Sequence, residues 1–110
     1  MSAQARTILS DPANLIVVPS IVILEIKYLY RRKRIPLPFE DAVGHMEATP
    51  NVLFYPLELS VVSLAPASLD IHDAIIVGTA LHLSNELNQP VSLVTADRTI
   101  CDSGLVPVIW

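Results

Sequence analysis

Residues 73–97, DAIIVGTALHLSNELNQPVSLVTAD, decide the fold class. The first part, 73–86, reads as a helix in which Asp73, Val77, Ala80 and Ser84 share one face at 100° per residue. Val91–Val94 is a short apolar run of the kind that forms a buried strand, and Asp97 follows just past its carboxyl end. The same alternation extends outward on both sides. Upstream, residues 2–9 read as a short helix, Asp11–Asn14 as a turn, and Leu15–Val18 as a β-branched strand ended by Pro19. Ser20 stands where a cap belongs, and residues 20–34 have helical period despite their β-branched content. Pro36 and Pro38 break the chain, residues 39–48 read as a helix, and Asn51–Tyr55 as a strand. Leu57–Leu64 suits either a helix or a strand, with the helix preferred, and Pro66–Ile71 reads as a loop. Downstream, Asp97–Asp102 forms a helical turn, and Val106–Trp110 a last strand whose Pro107 suits a sheet edge. Strands alternating with helices predict parallel pairing in a three-layer α/β/α sandwich, built as a single domain over residues 1–110.

Composition narrows the function classes. Hydrophobic residues make up 52% of the chain and charged ones 16%, and the mean hydropathy is +0.51. A surface this apolar predicts an interface, most simply a homodimer. The longest apolar stretch, Leu15–Leu24, is interrupted by Pro19 and Ser20 and falls short of the ~20 residues that cross a bilayer. The opening MSAQARTILSD has no secretion pattern, and Cys101 is the lone cysteine, so a cytoplasmic location is expected. A net charge of −4 argues against a broad nucleic-acid surface. It leaves one basic run, Arg31-Arg32-Lys33-Arg34, which reads either as a solvated helix end or as a phosphate contact through Arg31, Arg32 and Arg34.

Three carboxylates carry the chemistry. Glu25 lies on the apolar face of its helix, with Ile21, Val22, Tyr28 and Leu29. Burial of an unpaired carboxylate is costly, so Glu25 calls for an ion pair or a metal. Asp73 sits in a first helical turn and Asp97 before one; each suits a cap as well as a ligand. Together they offer hard oxygen donors at the carboxyl edge of a parallel sheet, chemistry that suits Mg²⁺ or Mn²⁺. Three glycines leave little room for a phosphate loop, and one cysteine excludes a cysteine-rich zinc site. His45, His72 and His82 lack ligand spacing and read as structural or solvated, and Cys101 reads as packed.

The segments PSIVILEIKYLYRRKRI, LDIHDAIIVGTAL and VSLVTADRTICDSGLVPVI, in this order, resemble the PIN-domain family, especially its VapC-type toxins. The resemblance implies an Mg²⁺- or Mn²⁺-dependent endoribonuclease that cuts structured RNA, with Glu25, Asp73 and Asp97 at the metal. Thr95 would orient the site and an antitoxin peptide would occupy the groove; Asp102 reads as a solvated turn residue, with an outer carboxylate as its alternative role. The family's opening strand and its early Asp are absent, since Asp11 lies in a turn before the first strand. That departure implies an N-terminally truncated PIN-like fold, and it raises the alternative of a catalytically inactive scaffold that binds RNA or a partner protein.

Overall fold

The computed structural model describes residues 2–110. It contains α1 (Ala3–Ser10), β1 (Ile16–Pro19), α2 (Ser20–Arg31), α3 (Phe39–Glu47), β2 (Val52–Tyr55), α4 (Leu59–Leu64), α5 (Ile71–Leu87), β3 (Leu93–Val94), α6 (Arg98–Ser103) and β4 (Val108–Ile109). The chain is α/β and its strands pair in parallel, as the alternation of elements predicts. They form two separate two-stranded sheets, β1-β2 and β3-β4. The chain divides into two compact units: Pro12–Pro56, and the residues up to Asp11 together with Leu57–Trp110.

In the unit Pro12–Pro56, β1 and β2 pair from Ile16↔Val52 to Pro19↔Tyr55, and α2 and α3 make the crossover between them. Pro19 is the last strand residue rather than the one that follows it, and it also serves as N-cap of α2. Ser20 caps nothing. Its hydroxyl donates to the Tyr55 carbonyl at 2.9 Å and so ties the start of α2 to the end of β2. Asn51 Nδ2 donates to the Asn14 carbonyl at 2.9 Å and anchors the other end of the same pair.

The helix α2 stops at Arg31, short of the expected Arg34. Lys33 adopts a left-handed backbone, φ 58°. Its N–H donates to Tyr30 O at 3.0 Å, and Arg34 N–H donates to Leu29 O at 2.9 Å. This pair of bonds is a Schellman-type stop, made at a position where glycine is the usual occupant.

In the other unit, α5 is the central helix. Val77, Ala80 and Leu83 are buried, and so are Thr79 and His82 on its other sides, which marks a helix covered all round. α4 packs on it at close range, because Gly78 presents no Cβ. A Cβ built there would lie 2.8 Å from Val61 O and 3.0 Å from Ala65 Cα. Val61 of α4 and Ile100 of α6 are fully buried here. The helix starts at Ile71, two residues before the expected Asp73, because Asp70 is the cap: its side chain accepts from Asp73 N. Asn88 closes the helix in a left-handed conformation. The flanking strands are shorter than expected. β3 holds Leu93 and Val94, and β4 begins after Pro107, whose carbonyl accepts from Leu93 N at 2.8 Å. No helix among the described residues is long and apolar enough to cross a membrane.

Candidate functional site

Glu25 is half-buried on α2, on the helix face that also carries Ile21, Val22 and Leu29, all half-buried, and Tyr28, which is exposed. Its Oε1 is buried and has no hydrogen-bond partner. No ion pair forms at Glu25 among the described residues, so the basic run does not neutralise it. Of the two explanations its position allows, an internal salt bridge is therefore not the one realised.

Asp73 and Asp97 belong to the other unit. Asp73 is half-buried in the first turn of α5, where its own N–H donates to Asp70 Oδ1 at 3.0 Å. It does not open the helix. That task falls to Asp70, which the pattern of a polar residue three before Asp73 would have revealed. Asp97 is the N-cap of α6, and its Oδ1 accepts from Ile100 N at 3.0 Å. The capping reading of Asp97 is thus realised, and the cap uses Oδ1. Thr95, immediately past β3, holds Asp97 in place: its Oγ1 accepts the Asp97 N–H at 3.1 Å, while its own N–H donates to Ile109 O. Asp102 is exposed.

These carboxylates have the donor chemistry of a hard divalent cation. Among the described residues, Glu25 Oε1 is the one buried side-chain nitrogen or oxygen without a hydrogen-bond partner, an atom that a cation or a donor from outside would satisfy. Among the described residues, however, no three His, Cys, Asp or Glu side chains form a group that could hold a metal ion.

The basic run is exposed throughout. Tyr30, Arg31, Lys33 and Arg34 line an open depression with Ile35 and Pro36. The Arg32 guanidinium lies 5.9 Å from the Tyr28 ring centroid, and Lys27 Nζ 5.1 Å from that of Phe39. Both cations rest on aromatic faces and keep their charge toward solvent.

Two side chains depart from their sequence reading or extend it. Cys101 is exposed rather than packed, because Ile100 takes the inward position in the short helix α6. His82 is structural, as expected, and its partner is new: Nε2 lies 3.4 Å from Glu58 Oε1. Glu58 also accepts from the Ser60 hydroxyl at 3.0 Å, so one carboxylate joins the start of α4 to the buried face of α5. No family model, no curated protein and no solved structure matches this chain.

Proposed function

We propose that the chain is a PIN-like α/β/α sandwich protein of the VapC toxin type, an endoribonuclease that works with Mg²⁺ or Mn²⁺ in the cytoplasm. The observation that carries this reading is the buried Oε1 of Glu25, which has no hydrogen-bond partner among the described residues. A carboxylate oxygen that has lost its water and gained nothing is costly unless a ligand completes it. Glu25, Asp73 and Asp97 would hold the ion, and Thr95 would fix Asp97 through the bond from its N–H. The ion would supply an activated water and offset charge on the phosphate. Arg31, Arg32 and Arg34 would hold the RNA backbone as exposed cations. An antitoxin peptide and a second copy of the chain are the protein partners this reading implies.

A second reading is favoured by a different observation. No three-residue metal group stands among the described residues, and Asp97 already serves as a cap. On that reading the chain is an inactive PIN-like scaffold that binds RNA or a partner protein without cutting it.

Mn²⁺ titration by calorimetry, followed by cleavage of a labelled structured RNA, separates the two. The nuclease reading expects binding, cleavage that EDTA abolishes, and loss of both in Glu25→Gln and Asp97→Asn. Asn caps a helix about as well as Asp, so Asp97→Asn removes the charge and spares the fold. Unchanged Mn²⁺ affinity in both variants, or RNA bound and never cut, would leave the scaffold.

A further inference from the structure

The cations around the end of α2 treat their aromatic neighbours unequally. Arg32 lies over the ring of Tyr28, and Lys27 over that of Phe39. Tyr30 falls between these two rings in sequence and is 41% exposed. Among the described residues, no cation and no other ring lies on it. Yet Tyr30 lines the open depression at the end of α2 together with Arg31, Lys33 and Arg34, three of the seven lysines and arginines in the chain. Ile35, half-buried, and Pro36, exposed, complete the lining with apolar surface, and no described acidic residue contributes to it. An uncovered aromatic face, apolar side chains and three positive charges in one depression have a chemical complement. It is a flat ring joined to negative charge, which is what a nucleotide offers.

We propose that this depression holds an unpaired nucleotide of an RNA strand, its base stacked on the Tyr30 ring and its flanking phosphates drawn to Arg31, Lys33 and Arg34. The inference rests on the RNA-binding part of the function proposed above, and it needs neither metal nor cleavage. Charge alone would hold RNA weakly. Three phosphate contacts give a slope of log K against log salt of only about −2 for a single strand. A net charge of −4 repels the rest of a long polymer. A stacked base adds attraction that salt does not screen, and it tolerates any sequence because every base has a π-face. A base inside a duplex keeps its faces against its neighbours, so the contact selects unpaired positions. The depression is open rather than enclosed, so a strand can run through it. An anionic membrane would also meet the cations, but its flat surface offers no ring to Tyr30.

Binding of a fluorescently labelled, unstructured oligouridine in EDTA tests this, because cleavage then plays no part. Tyr30→Leu keeps the charges and the apolar bulk and removes the ring. It should weaken binding at least about fivefold with an unchanged salt slope, while Tyr30→Phe should bind as the native chain does. The position is exposed, so neither replacement should change the circular dichroism spectrum. Arg34→Ala should instead flatten the salt slope by about 0.7. A hairpin duplex of the same length should bind at least about fivefold less tightly than the open strand. Tyr30→Leu that binds as tightly as the native chain overturns the proposal; the arginines would still hold RNA, and the function proposed above would stand. If the native chain binds no RNA, both fall. Uridine triphosphate that competes as well as the strand would put a free nucleotide in the depression. Binding to phosphatidylserine vesicles in preference to RNA would put a lipid headgroup there, and either result overturns the proposal.

Discussion

The two compact units are held together in different ways. In the one built around α5, small residues let helices approach, and Val61, Val77 and Ile100 lose all or nearly all contact with water. In Pro12–Pro56, Ala42 is the only described residue that is buried, and α2 buries none. That second unit rests on a four-residue strand pair and two anchoring hydrogen bonds, from Ser20 and Asn51. It also carries the orphaned carboxylate of Glu25 and the four consecutive cations. The packed unit supplies stability, and the loosely packed one supplies unsatisfied chemistry. Unsatisfied groups of this kind belong where local stability is low.

The comparison breaks first on side-chain truncation. Ile100→Ala should cost about 2–5 kcal/mol, because a fully buried methyl-rich side chain leaves a cavity behind. Leu53→Ala, at a 47% exposed strand position, should cost well under about 1 kcal/mol in the monomer. Urea midpoints of the two variants check this. Equal losses would mean that both units are packed alike.

Gly78→Ala sharpens the same contrast at smaller scale. Alanine is the better helix former by about 1 kcal/mol. At Gly78 the new methyl would meet Val61 O at 2.8 Å, a backbone atom that cannot swing aside. Overpacking of this kind costs about 1–3 kcal/mol, so the variant should be destabilised despite its better propensity. Gly44, in α3, has nothing within 4 Å of its missing Cβ, so Gly44→Ala should stabilise by roughly 0.5–1 kcal/mol. Opposite signs at the two glycines, read from thermal midpoints, are the expected result.

Much of the fold is legible in the sequence where the signal is local. The helical period of residues 73–86 marks the core helix, and Ala80 and Val77 face inward as that period requires. The ambiguous run from Leu57 resolves as α4 because Val61 alone turns inward, against Gly78. The strand ends were less legible. Whether Val91 or Val106 joins a ladder depends on its opposite strand, and the β3–β4 register admits only Leu93↔Val108 and Val94↔Ile109. For the candidate site, the setting of Glu25 and the cap at Asp97 follow from helix periodicity and strand position. That Arg31 would not pair with Glu25 was legible, since six residues along one helix is about 9 Å, beyond the i+3 and i+4 spacing of a pair; the absence of a partner from another element was not, because that is a tertiary quantity. Asp70 was hidden by Asp73, an equally good capping residue three positions on.

Lys33 offers the finest probe of the comparison. A lysine in the left-handed region costs about 1 kcal/mol relative to glycine, and the Schellman-type stop of α2 needs that conformation. Lys33→Gly should therefore raise stability by up to about 1 kcal/mol, less the entropy glycine adds to the unfolded chain. If the turn is kept strained for the sake of its charge, the same variant should weaken RNA binding at every sequence. It should also lower the slope of log K against log salt by about 1, the loss of one phosphate contact. Binding curves at several salt concentrations, with Arg6→Ala on α1 as a charge-matched control, read this directly. A more stable variant with an unchanged salt slope would mean that Lys33 contributes strain and no contact. Any RNA contact at the depression lined by Tyr30, Arg31 and Arg34 would then be made without it.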